Sequence, residues 1–461
     1  MTGESLGRYR SGIASELGNR WRTVVLTGLV LSVVTVSRAS WDDVPKPNAE
    51  EPEVNREVER LLKDLDAASR ATRQAAEKRL LDLGPDVLRH LPPPELLPTA
   101  AVRDAVARVR TELERRHAQA SIQPSRITLR GSRPLRDWIA ELSLQSGNAI
   151  DASDVAAGML DRSIELQVDE QPFWDAIGLL SKRIDAVFQP DRTSRRLRLA
   201  ARVQGTPHPD LAVDARSPFR IAAVSVQVRE IAGRSDRQLV RIRLEVTPEP
   251  RLRPLFVQFA ARDGAAKAGE RELLPHNPDA IYELPVAEGG GWFPITLDFV
   301  APVKLDRAPL RVRGRFDITT AAGSEAIRFS DLVQAATNRL GVARRRGGVT
   351  VTLHKAAFAK AEPRGHEARV AVSVAYDSGG PAFESHRQWM LHNEVFLETP
   401  DGQRVALNGG HETSRQGDGA IAVEYRFVNL PDPLPSYRFV YVAPTMIIDV
   451  PVEFELRGIR W

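Results

Sequence analysis

The residues of this chain that could do chemistry cluster between Asp377 and His411. Ser378 lies in the run Asp377-Ser378-Gly379-Gly380-Pro381, a setting that suits an acyl-transfer nucleophile. A serine hydroxyl is inert without a histidine base and a carboxylate to orient that base. The upstream histidine, His208, falls in the linker-like segment GTPHPD. The run therefore reads more simply as a Gly-Gly turn closing the strand ARVAVSVAY, with Ser378 structural. A second group, Glu384, His386, His392, Glu394 and His411, offers the imidazole and carboxylate donors that zinc takes. Its spacing lacks the i, i+4 histidine pair of a helical HExxH site. Metal binding is accordingly the lesser reading beside polar loop residues. Gly289-Gly290-Gly291 lacks the strand-to-helix context and the Lys-Ser/Thr of a phosphate cradle, and reads as a hairpin loop before Trp292. No cofactor is implied.

Composition narrows the classes further. The chain has 461 residues, of which 42% are hydrophobic and 27% charged, which excludes a wholly disordered or collagen-like polymer. At roughly 150 residues per domain, that length suggests about three domains. Cysteine is absent, so disulfides, thiolate nucleophiles and Cys-ligated zinc are excluded. The formal net charge of +4 is spread along the whole chain. That is no nucleic-acid signature. The run Arg344-Arg345-Arg346 could meet an anionic polymer or lipid, but a solvated linker is the simpler reading.

The elements that position these residues begin after an apolar segment. Val24 to Val36 reads VVLTGLVLSVVTV, preceded by Arg20 and Arg22 and followed by Ser37-Arg38-Ala39. A basic region, a short apolar run and small residues at −3 and −1 predict a signal peptide over 1–39, cleaved between Ala39 and Ser40. A permanent span needs about 20 apolar residues, so retention as an anchor is the alternative. No later run reaches that length, and no stable membrane insertion is expected after cleavage.

Residues 40–53 form a polar linker, and helical periodicity takes over in 54–120. Val54, Val58, Leu61, Leu62 and Leu65 share one face. A second helix stops at Gly84-Pro85, and a third carries Val102, Val106, Val109 and Leu113. The stretch LLKDLDAASRATRQAAEKRLLDLGPDVLRHL resembles a single HEAT-type hairpin.

Within 125–202 one pattern occurs twice. Ile127-Thr128-Leu129, Pro134, a helix with Leu135, Trp138, Ile139 and Leu142, and Ala149-Ile150 form the first copy. Ile164 to Val168, Pro172, a helix with Phe173, Ile177, Leu180 and Ile184, and Val187-Phe188 form the second. The interval from Pro134 to Ile150 equals that from Pro172 to Phe188. Proline at the first helical turn is a start signal, so the expected order is βαββαβ, with Trp138 and Trp174 in the core. The residues ITLRGSRPLRDWIAELSLQSGNAID and SIELQVDEQPFWDAIGLLSKRIDAVFQP resemble the secretin and TonB short N-terminal (STN) domain. That resemblance implies an exported docking module without catalytic residues of its own. Its narrow sheets expose strand edges. The run Ile164, Glu165, Leu166, Gln167 and Val168 carries only Glu165 as a formal charge, which makes it the expected partner-binding edge.

From residue 217 the period switches to two. Residues 217–333 and 348–461 read as two immunoglobulin-like β-sandwiches joined by a basic linker, 334–347. They look duplicated. RQLVRIRLEVTPEP corresponds to HEARVAVSVAYDSG, and LFVQFAARDGA to EVFLETPDGQR. WFPITLDFVAPVKLDRAPLRVRGRFDI corresponds to IAVEYRFVNLPDPLPSYRFVYVAPTMI. The segments PAFESHRQWMLHNEVFLETPDG and MIIDVPVEFELRGIRW resemble the C-terminal region of exported planctomycete-type proteins to which no activity is assigned. A membrane barrel would need longer alternating strands and aromatic girdles, whereas aromatics are 6% here.

The expected fold is multidomain α+β: a helical hairpin, a small βαββαβ domain and two sandwiches. The expected function is an exported, non-catalytic binding or scaffold protein of the periplasm or cell envelope, with an envelope protein as partner and no nucleic acid. Two alternatives stand beside it. One is an envelope hydrolase or metal-binding protein with its site at Glu384, His386, His392 and His411. The other is a secretion-system accessory.

Overall fold

A computed structural model describes residues 51–92, 97–191, 194–201, 210–286, 289–303, 308–330, 332, 341–360, 365–377, 387–417, 420–431 and 437–460. The expected signal peptide and its Ala39–Ser40 junction lie outside the described residues. Almost everything described belongs to the second of two units, Glu53–Trp461. No helix among the described residues is long and apolar enough to cross a membrane.

Three helices come first: α1 (Glu51–Asp64), α2 (Arg70–Asp82) and α3 (Ala100–Ser121). Their ends follow from local chemistry. The hydroxyls of Ser69 and Thr99 accept from the Thr72 and Val102 amides at 3.4 and 3.3 Å, capping α2 and α3. Gly84, at φ +81°, turns the chain out of α2. Val58, Leu61, Leu65, Leu80, Val106 and Leu113 form the helical core.

A small α/β region follows, with β1 (Arg126–Pro134), α4 (Leu135–Ser146), β2 (Ile150–Asp151), α5 (Ala157–Leu160), β3 (Ser163–Pro172), α6 (Phe173–Ile184), β4 (Ala186–Pro190) and β5 (Leu197–Ala201). Strand β1 pairs antiparallel with β3, and a second sheet has the order β2-β5-β4. The two prolines that mark the sequence repeat adopt the same backbone angles, φ −54° and ψ 145°. Both helices then end in left-handed residues, Gly147 and Asp185. Trp138 and Trp174 are buried, and each indole N–H is satisfied. Trp138 donates to the Ile164 carbonyl at 2.8 Å and Trp174 to the Pro218 carbonyl at 3.2 Å.

The remainder is mostly β, arranged as sheets over two apolar cores. Its strands are β6 (Ala212–Asp214), β7 (Phe219–Ile231), β8 (Arg234–Pro248), β9 (Arg253–Ala260), β10 (Ala265–Ala268), β11 (Arg271–Pro275), β12 (Ile281–Pro285), β13 (Phe293–Pro302) and β14 (Leu310–Phe329). These are followed by β15 (Val342–Arg346), β16 (Val349–Lys360), β17 (His366–Tyr376), β18 (Val395–Glu398), β19 (Arg404–Ala406), β20 (His411–Gly417), β21 (Ala420–Leu430) and β22 (Arg438–Ile459). One sheet of twelve strands runs β19-β18-β22-β14-β10-β11-β13-β8-β7-β6, with β9 joining β14 to β12; the other runs β15-β16-β17-β21-β20.

Here the structure departs from two side-by-side sandwiches. Strands β14 and β22 pair antiparallel from Leu310 opposite Ile459 to Phe329 opposite Phe439. Strands usually run to about ten residues; these run to 20 and 22, and each serves both cores. Val450, Val452, Phe454, Leu456 and Ile459 of β22 complete the core built by β7, β8 and β13. Ile327 and Phe329 of β14 enter the other core beside Phe439 and Tyr441. Carried one step past the aligned runs, the internal repeat equates Thr319 with Ile448 and Thr320 with Asp449. In the ladder Thr319 pairs with Asp449 and Thr320 with Ile448.

The basic run also differs from its reading as linker. Arg344, Arg345 and Arg346 lie in β15, opposite Val351, Thr350 and Val349 of β16. A strand can hold three consecutive arginines because their side chains find separate partners. The Arg344 guanidinium sits 5.3 Å from the Phe329 ring centroid, and Arg345 pairs with Asp377. Gly291 has an equally local reason. The segment is not the expected hairpin loop, since β12 pairs with β9 and β13 with β8 and β11; a Cβ at Gly291 would lie 2.6 Å from the Asp191 carbonyl oxygen, so glycine is needed there to let the small α/β region approach.

Asp214 of β6 ties the C-terminal strand down. Its carboxylate accepts from the Glu455 backbone N–H at 2.9 Å and from Arg216 Nε at 2.9 Å. Burial alone pushes this carboxyl up, but the Arg216 and backbone donors outweigh it and hold the group below its ordinary value. The folded chain then binds fewer protons than the unfolded chain, so this stabilisation is complete above the unfolded carboxyl's pKa and drains away as pH falls below it. Asp214→Asn should cost about 1–2 kcal/mol at neutral pH and much less near pH 3. Urea denaturation at the two pH values checks this, and an equal loss at both would overturn it.

Candidate functional site

Of the residues singled out for chemistry, Ser378, Glu384 and His386 lie outside the described residues. His392 is exposed at the end of a short 3-10 helix, Arg387–His392. Glu394 is exposed and paired with Arg404 at 3.4 Å. His411 stands on β20 with its ring centroid 6.1 Å from that of Tyr425. Among the described residues no three His, Asp or Glu side chains come together as a metal site. Asp377, the neighbour of Ser378, accepts from Arg345 Nε at 3.1 Å.

The edge singled out in the small α/β region is in place as a strand. Within β3, Ile164, Leu166 and Val168 are buried while Glu165 and Gln167 are exposed, the alternation of a strand with one face on a core. Gln167 sits opposite Arg130 and Glu165 opposite Ser132. Among the described residues β3 pairs with β1 and with no other strand. Arg130 and Asp169 form the ion pair on this ribbon, at 2.6 Å.

Two polar arrangements escaped the sequence reading. The first joins the helices, the small α/β region and the first β core. Glu249, fully buried after β8, accepts from the Ser125 amide (2.9 Å), the Ser125 hydroxyl (2.6 Å), Asn148 Nδ2 (3.1 Å) and Arg251 Nε (2.8 Å). Arg251 reaches on to the carbonyls of Ser121, at the end of α3, and Gln123, the latter at 2.6 Å. Its own amide donates to Asn148 Oδ1 at 2.9 Å. Both carboxylate oxygens are engaged, Oε1 by one donor and Oε2 by three. A segment reading TPEPRLRP carries no signal for this, because apart from Arg251 the partners, Ser125 and Asn148, are far away in sequence.

The second arrangement is a cleft of about 520 Å³ between the turn Pro85–Arg89, α3 and the middle of the β14–β22 ladder. From α3 it receives Arg110, Glu114 and His117, at i, i+4 and i+7, a polar stripe beside the apolar one. That spacing was the available signal. From the sheets come Glu325, Arg346, Gly347, Thr445 and Met446. Arg110 is 8% exposed and Thr445 is 1% exposed, and neither the Arg110 Nε nor the Thr445 hydroxyl has a hydrogen-bond partner among the described residues. The wall is held under backbone strain: Met446 adopts φ +53°, with its amide donating to the Gly347 carbonyl at 3.0 Å. Gly347 itself has φ +51°, and a Cβ there would lie 2.6 Å from Thr445 Cβ. Burial is the largest influence on Glu114 and pushes its carboxyl up, against the pull of Arg345 and Arg110. Strained backbone, unpartnered buried donors and a perturbed carboxyl in one concave site are what ligand pockets combine. No known protein family and no curated protein matches this chain.

Proposed function

We propose that this chain is an exported, non-catalytic binding or scaffold protein of the cell envelope. Its STN-like region, followed by immunoglobulin-like sandwiches, engages an extended segment of an envelope protein by strand addition. The observation that carries this reading is the edge of β3. Its apolar side chains are already buried, and its pairing among the described residues is limited to β1. Its run Ile164–Val168 carries one formal charge and has no second strand partner among the described residues, and such an edge is a template for another chain. The exposed side chains Glu165 and Gln167 offer only weak negative charge against it.

A photo-reactive residue placed at Gln167 of the full chain in its native cell should give a discrete adduct with one envelope protein. The same residue at Leu274, which is 62% exposed and far along the chain, should give none. Equal adduct yield from both positions would overturn the edge assignment.

A further inference from the structure

We propose that the cleft between α3 and the β14–β22 ladder binds a small zwitterion, an amino acid or short peptide, with its carboxylate against Arg110 and Arg346 and its ammonium toward Glu325. The argument is independent of the β3 edge and begins at the floor of the cleft. Arg110 is a nearly buried cation whose Nη2 donates to the carbonyls of Leu91 (2.7 Å) and Pro92 (3.3 Å). Carbonyls carry no formal charge. No carboxylate lies within ion-pair distance of Arg110 among the described residues, and its Nε is unpartnered. Glu114, one turn further along α3, attracts this cation without forming an ion pair with it among the described residues, so the buried Nε–H and its charge are left for an anionic ligand to engage. Arg346 lines the same cleft with its Nη1 turned onto the Arg345 carbonyl at 2.9 Å, again without a carboxylate partner among the described residues. Thr445 adds a buried hydroxyl free to donate.

Depth sorts the charges. Glu325 and His117, on opposite walls, are exposed at the mouth, whereas Arg110 is at the floor. Glu114, Glu325 and Asp86 all line the cleft, and together they would repel a polyanion such as phosphate. A ligand with one carboxylate inward and one ammonium outward meets both sets of charges. The apolar wall of Leu88, Leu91 and Met446 suits aliphatic carbon between them. The volume also fits, since small-molecule sites run from about 300 to 1,000 Å³.

The test is calorimetry of the full chain with dialanine, its C-terminal amide, its N-acetyl form and inorganic phosphate. Dialanine should bind saturably, with a dissociation constant on the order of 1 mM. Amidation should weaken it about tenfold or more, acetylation should weaken it as well, and phosphate should give no saturable heat. Arg110→Met removes the bonds that hold the Leu91–Pro92 carbonyls and endangers the fold, so Arg346→Gln and Glu325→Gln decide the matter. The first should weaken dialanine about tenfold with an unchanged melting temperature. The second should weaken dialanine but leave the N-acetyl form unaffected. Absence of saturable dialanine binding, equal binding of the amide, or preferential binding of phosphate would each overturn the proposal.

Discussion

Glu249→Ala will lower the unfolding free energy by about 3–5 kcal/mol, one of the two largest effects expected in this protein. The reason is an asymmetry between making and breaking a buried charge network. Glu249 is fully buried, and it receives four hydrogen bonds, from Ser125 twice, Asn148 and Arg251. Without the carboxylate, Arg251 becomes an uncompensated cation whose side chain is only 19% exposed, and the Asn148 amide loses its acceptor. Glu249→Gln keeps the shape and one acceptor oxygen but removes the counter-charge, so its cost should fall between wild type and alanine. Chemical denaturation followed by tryptophan fluorescence checks this, because Trp174 is hydrogen-bonded to Pro218, whose carbonyl also accepts from the Glu249 amide at 2.8 Å. A loss below about 1 kcal/mol for the alanine variant would show that the three regions hold together without the network.

A chain ending at residue 333 will fail to form the first β core, although every strand from β6 to β14 is present. That core needs Val450, Val452, Phe454, Leu456 and Ile459, all buried and all supplied by β22. Removing a single large core side chain typically costs 2–5 kcal/mol, roughly, and whole domains are stable by only about 5–15. Five such losses exceed what the remaining contacts can offset. The truncation also bares the whole β14 edge that pairs with β22, from Leu310 to Phe329, an open template for aggregation. The expected result is a molecule with secondary structure but no sharp thermal transition and no dispersed amide NMR spectrum. A cooperative transition in the truncated chain would mean that the first β core is self-sufficient after all.

Both expectations come from contacts that pattern reading does not reach. Alternation shows that Val450, Val452, Phe454 and Leu456 face one way. It is silent on which core they face, because a strand's period is the same whichever sheet covers it. Two separate sandwiches and two sandwiches sharing strands therefore have the same one-dimensional pattern. The arginine run of β15 misleads for a related reason. Charge density argues for solvent, while the ladder to β16 and the contacts with Phe329 and Asp377 are non-local.

What the sequence determined by itself was local. Ser69, Thr99 and Gly84 set helix ends through their own side chains or the lack of one. Pro134 and Pro172 set two helix starts, and the burial of Trp138 followed from helical spacing. The internal repeat was legible because it lies in the order of residues. Only the tertiary structure decided that the repeats join through β14 and β22, that Glu249 is enclosed, and that Arg110, Glu114 and His117 face Arg346 and Glu325 across a cleft. Those outcomes depend on which distant backbone edges and side chains reach each other as the chain closes its loops, and local propensity carries no information about that choice.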